Sequence, residues 1–97
     1  MENINAKYLV AAGSLAKKLD EANVPYEVQA VYTGFMFVFP NQAARKGDVI
    51  LHNGSYGNSG LMWEAYQGMT NGEIGDIEVI EEAEVVRRAI ELTKEEN

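Results

Sequence analysis

The stretch Tyr26-Glu27-Val28-Gln29-Ala30-Val31-Tyr32-Thr33-Gly34-Phe35-Met36-Phe37-Val38-Phe39-Pro40 decides the fold class of this chain. β-Branched and aromatic residues dominate it and alternate at the period of two that an extended strand requires. Thr33-Gly34 predicts a two-residue turn, because glycine accepts positive φ, so residues 26–40 read as a β-hairpin. That register pairs Tyr32 with Phe35, Ala30 with Phe37 and Val28 with Phe39. One face then carries Tyr26, Val28, Ala30, Tyr32, Phe35, Phe37 and Phe39, and it is expected to face the core. The other carries Glu27, Gln29, Val31, Met36 and Val38. Pro40 ends the second strand because it has no N–H to give.

Upstream of the hairpin, Ile4, Tyr8, Ala12, Leu15, Leu19 and Ala22 recur at spacings of three and four, which predicts an amphipathic helix over 4–22. Asn3 or Asn5 can cap its start. Gly13 costs about 1 kcal/mol against alanine inside a helix and therefore predicts close packing against another element. Asn23 can close the helix in the left-handed region, and Pro25 holds Val24 extended.

Downstream, residues 41–47 form a polar connection with Arg45 and Lys46, and residues 48–52 a short third strand. Ser59 can cap a short helix over 61–69, with Met62, Ala65, Tyr66 and Met69 on one side; Asn71-Gly72 is a strong turn signal. If that turn closes a further hairpin, residues 61–69 become a strand instead. A short strand over 76–80 follows, then a closing helix over 81–95, with Ala83, Val86 and Ile90 on one line and Val85, Ala89 and Leu92 beside it. Glu84 and Arg88 are one turn apart on that helix and can pair. The expected fold is α+β: an N-terminal helix, an antiparallel sheet of three to four strands that starts with a hairpin, a short helix and a C-terminal helix, in one domain over 1–97.

Composition narrows the function. Apolar content of 46% and charged content of 24% are those of a globular domain. The chain has no cysteine, which removes disulfides, thiol catalysis and thiolate metal sites. No stretch approaches the roughly 18 apolar residues of a membrane span, and no basic start precedes an apolar run, so a cytoplasmic protein without membrane contact is expected. Net charge is −7, and residues 73–97 carry most of it, with nine acidic and three basic side chains. Such a surface repels phosphate backbones, so no direct nucleic-acid binding is expected.

The richest candidate site is His52-Asn53-Gly54-Ser55-Tyr56-Gly57-Asn58-Ser59-Gly60, which holds the only histidine and lies beside the only tryptophan, Trp63. His52 is the natural acid–base candidate, because its ordinary pKa is near neutrality, and Ser55 or Ser59 could serve as nucleophile. Asp48 is a poor orienting group, since an extended strand puts it ~13 Å from His52. No triad order or nucleophile elbow is present, and no catalytic residue is assigned. Metal binding lacks a second histidine, and the glycines at 54, 57 and 60 match neither the phosphate-loop nor the dinucleotide pattern, so no cofactor is expected. The alternative role of the loop is binding. Tyr56, Trp63 and Tyr66 are aromatic anchors of the kind interfaces use, core filling being the competing role and the favoured one for Trp63, with His52, Asn53, Ser55 and Asn58 supplying adaptable hydrogen bonds.

The run Gly47-Asp48-Val49-Ile50, His52, Gly54-Ser55-Tyr56-Gly57, Gly60-Leu61 and Glu64 resembles a pattern in small uncharacterised proteins of bacteriophages and Gram-positive prophages, over residues 47–80. The resemblance implies an accessory protein that binds a host or phage protein, and it carries no activity. The leading expectation is therefore a non-enzymatic interaction protein that presents residues 52–66 to a protein partner or to a second copy. Two alternatives are a small hydrolase or transferase using His52 with Ser55, and an acidic decoy of a nucleic-acid-binding protein using Glu73 to Glu96.

Overall fold

A computed structural model of the chain describes residues 3–71 and 77–94. Helix α1 (Ala6–Glu21) starts where the Asn5 side chain accepts from the Lys7 amide at 2.9 Å, and its buried residues are Tyr8, Ala12, Leu15 and Leu19. Asn23 ends it at φ +58°, and the Val24 amide bonds back to the Leu19 carbonyl at 3.0 Å. Strands β1 (Glu27–Val31), β2 (Gly34–Phe39), β3 (Gly47–Leu51), β4 (Trp63–Gln67) and β5 (Glu78–Ile80) follow, and helix α2 (Glu82–Leu92) closes the described chain. The strands pair in sequence order, each antiparallel to the next, in one five-stranded sheet.

Both helices lie on one face of that sheet. Strand alternation puts Phe37, Phe39, Val49, Leu51, Trp63, Ala65 and Ile80 on this side, where they meet Leu15 and Leu19 of α1 and Val85 and Ala89 of α2. Trp63 packs edge-on against Phe37 with ring centroids 5.4 Å apart. Arg88 locks α2 to the sheet: it donates to the Glu78 carboxylate of β5 at 2.8 and 2.9 Å, to Glu84 one turn earlier, and to the Met69 carbonyl.

The α+β fold with an opening hairpin and two flanking helices is as expected, with five strands rather than three to four. The short helix expected over 61–69 is strand β4, preceded by a single 3-10 turn over Asn58–Gly60. Pairing of β4 with β3 on one side and β5 on the other outweighs a helical spacing only two turns long. The hairpin turn also moves. Tyr32-Thr33 makes it, with Tyr32 at φ +53°, and the register joins Val31 to Gly34 and Val28 to Phe37. Gly34 is needed inside β2 instead, where a Cβ would lie 1.7 Å from the Leu51 carbonyl oxygen. A shift of two residues keeps every side chain on its expected face.

Burial along the hairpin is less even than alternation implies. Phe37 and Phe39 are enclosed, whereas Val28, Ala30 and Tyr32 are exposed because β1 is the sheet edge. Gly13 contradicts its expectation: nothing lies within 4 Å of a Cβ placed there. On α2 the buried line is Val85, Arg88 and Ala89, and Ile90 is exposed. The turn signal at Asn71-Gly72 falls partly outside the described residues, as do Glu73, Asp76, Glu95 and Glu96. No helix among the described residues is long and apolar enough to cross a membrane.

Candidate functional site

The helix-free face of the sheet carries Met36, Val38, Asp48, Ile50, Glu64, Tyr66 and Val79, and two loops roof its sides. From one side comes the 41–46 connection. There Arg45 ion-pairs with the buried Asp48 carboxylate at 3.0 Å and touches the Met36 sulfur, while the Gln42 amide bonds Glu27 at 2.7 Å. From the other side comes the glycine-rich loop between β3 and β4.

That loop is held at many points. The Ser55 hydroxyl donates to the His52 carbonyl at 2.9 Å and accepts from the His52 amide at 3.1 Å, closing a tight turn. Asn53 donates its amide to the Thr33 hydroxyl of the hairpin turn, and the Asn58 side chain donates to the Ser55 carbonyl and accepts from the Tyr8 hydroxyl of α1. Gly57 sits at φ +83° against Val79 and Met62, where a Cβ would come within 2.5 Å of the Val79 side chain. Glu64 completes the clamp. Its buried carboxylate accepts the Tyr56 amide at 2.6 Å and the Tyr66 hydroxyl. The Tyr56 side chain projects from this fixed backbone and is 68% exposed.

The structure gathers His52, Asn53, Ser55, Tyr56 and Asn58 into one loop and brings Tyr66 to it through Glu64. Trp63 is a correction: alternation turns it to the opposite face, where it is 1% exposed inside the core and has no surface to offer a partner. Ser55 is likewise buried, and its hydroxyl is spent on the backbone of His52. The imidazole meets other groups. Its Nδ1 accepts the Gly54 amide at 2.9 Å, and its ring packs against Tyr32 at 5.0 Å. A proton relay from Ser55 to the His52 ring has no geometry here, since the hydroxyl bonds the main chain on both counts.

Burial and the adjoining Glu64 carboxylate push the Tyr66 phenol up to about 12. It therefore stays protonated and donates to Glu64 through the whole physiological range. Between Tyr66 and Arg45 lies a depression of about 260 Å³, lined also by Asp48, Ile50 and Gln67. Among the described residues no group of three or more histidines and carboxylates is placed to hold a metal ion.

Glu64, Asp48 and Arg45 are the site residues that sequence reasoning missed. A strand reading of residues 63–67 would have put Glu64 and Tyr66 on one face, two positions apart, with Asp48 across from Tyr66. The acidic C-terminal segment is less open than its composition suggests. Glu78 and Glu84 are bound by Arg88, Glu82 by Lys18, and Glu91 by Lys94. Comparison with family models, with curated proteins and with solved structures finds no match to this chain.

Proposed function

We propose that this chain is a non-enzymatic interaction domain that takes a basic protein segment against Tyr56 and Tyr66 on the helix-free face of the sheet. The observation that carries the reading is Tyr56: a large aromatic, 68% exposed, on a loop whose backbone is already fixed by Glu64, Ser55 and Asn58. A preorganised loop loses little freedom on binding, so contact area at its tip converts efficiently into affinity. Charge favours a cationic partner. The chain carries −7, the Tyr56 amide and the Tyr66 hydroxyl both donate to the Glu64 carboxylate, and tyrosine faces attract ammonium and guanidinium groups. Asn53 and His52, at the same loop, supply adaptable polar contacts. An accessory role of the kind implied by the phage-type resemblance of residues 47–80 fits this reading.

The test is a peptide array probed with wild type and with Tyr56→Ala. Wild type is expected to retain Lys- and Arg-rich segments in a salt-sensitive manner, and Tyr56→Ala to lose them at an unchanged thermal midpoint. Equal retention by the two proteins, or retention of acidic segments in place of basic ones, would overturn the proposal.

A further inference from the structure

The free edge of β1 supports a second, separate inference. The two-residue turn makes Val31 and Gly34 a hydrogen-bonded pair, so Val31, Gln29 and Glu27 spend their backbone groups on β2. Val28 and Ala30 must then turn their N–H and C=O groups outward, and no described residue bonds them. Protein edges are ordinarily blunted by lysine, proline or a bulge. Residues 27–31 have none of these: the pairing is continuous, and their one charge, Glu27, is bonded to the Gln42 amide. The opposite edge strand, β5, has only three residues.

Helix α1 continues this surface. The Asn5 amide bonds the Thr33 carbonyl at one end, and the Tyr26 hydroxyl bonds Asp20 at the other, so α1 runs antiparallel to β1. From 5 to 20 along a helix and from 33 to 26 along a strand are both roughly 22 Å, which sets Gly13 near the level of Gln29. Leu9, Gly13 and Ala16 share the helix side of Asp20, toward β1. Leu9, on that side, and Val28 of β1 are both exposed, Val28 to 45%. Gly13 weakens the helix and has nothing of its own chain within reach of a Cβ.

We infer that the occupant of this edge is a second copy of the chain, paired β1 to β1 about a two-fold axis through Gln29. The choice of occupant rests on self-complementarity. In that register Val28 faces Ala30 of the partner twice over, and the four outward backbone groups of each chain satisfy those of the other. The sheet continues to ten strands, and Gly13, at the level of the axis, leaves room for the two α1 helices to approach. Charge permits it: the acidic excess lies in residues 73–97, whereas residues 1–72 carry six acidic and five basic side chains. This face is distinct from that of Tyr56, so the dimer and the proposed binding role stand or fall separately.

The chain has no cysteine, which makes disulfide trapping clean. Gln29→Cys places two thiols opposite each other at the axis, with Cα atoms ~4.5 Å apart, and should oxidise to a covalent dimer. Glu27→Cys puts its thiols ~13 Å apart, beyond the ~7 Å limit, and should cross-link at least about tenfold less. Val28→Pro removes an outward N–H without touching the β2 ladder, and should give a monomer in sedimentation velocity with native circular dichroism. Ala30→Lys, which leaves the backbone intact, should do the same. A wild-type monomer at every concentration, without a Gln29→Cys cross-link, would overturn the inference. So would a dimer that survives both edge variants, equal cross-linking at Glu27→Cys, or dissociation caused by Tyr56→Ala.

Discussion

Among the described residues, four that are not glycine sit at positive φ, namely Asn23, Tyr32, Leu61 and Gln67. Only asparagine is at ease there, since a Cβ in the left-handed region costs roughly 1–2 kcal/mol. Gln67 is the cleanest test, because it is exposed and takes φ +54° at the end of β4. Relief of the backbone outweighs the extra chain entropy of glycine, so Gln67→Gly should raise stability by about 0.5 kcal/mol, measured by urea unfolding. Tyr66 gives a second test at this scale. With its phenol raised to about 12, the stability it lends through Glu64 is fully present below the ordinary value near 10 and is lost as pH rises through about 12. A phenolate absorbance titration should show Tyr66 ionising late, and Glu64→Gln should bring it back toward 10 while leaving Tyr26, raised by burial and Asp20, unchanged. Single residues were partly legible in advance. The 52–60 stretch marks a real hydrogen-bonded unit, and Asn5 and Asn23 bound α1. Sequence could not tell that the Ser55 hydroxyl bonds the main chain of His52 rather than its ring, because both partners belong to one residue.

The elements were legible where periodicity ran long. Sixteen residues of helical spacing define α1, and the alternation of β2 survives a displaced turn. Strand β4 was the failure, and its five residues explain why. Met62, Ala65, Tyr66 and Met69 match a helix, Trp63 and Ala65 against Glu64 and Tyr66 match a strand, and only pairing with β3 and β5 breaks the tie. The α2–β5 joint shows how elements are fastened after they form. Hydrogen bonds from the Arg88 guanidinium hold Glu78 down at about 2, and those from Arg87 and Arg88 hold Glu84 at about 2. Carboxylates depressed in this way add stability that is complete above their ordinary value near 4.5 and disappears as pH falls toward 2. The thermal midpoint should therefore drop across that window, and Arg88→Met should flatten the drop. The same variant leaves the Met69 carbonyl without its Arg88 donor and strips one of two donors from each carboxylate, Glu84 keeping Arg87 and Glu78 the Asn71 amide. Because those carboxylates reach solvent, the expected cost at neutral pH is about 2 kcal/mol rather than the larger penalty of a fully enclosed pair.

For the molecule as a whole, the two-layer arrangement follows from apolar faces that each element must cover. Phe37 stands at the centre of that contact, fully buried between Tyr26 and Trp63. Phe37→Ala should cost about 3–5 kcal/mol in chemical unfolding, a large part of what a domain of this size has. Which strand becomes the edge, and which sheet face stays free of helices, was not written in any single segment. Both depend on where two helices settle over five strands, and it is the helix-free face that brings Glu64, Tyr66 and Tyr56 together. The most direct test of the binding role is to titrate an array-selected basic peptide into isotope-labelled protein and follow backbone amide resonances. The largest shifts are expected at 53–58, 64 and 66, with β1 undisturbed. Shifts centred on 27–31, or a peptide that binds without moving the Tyr56 amide, would contradict it.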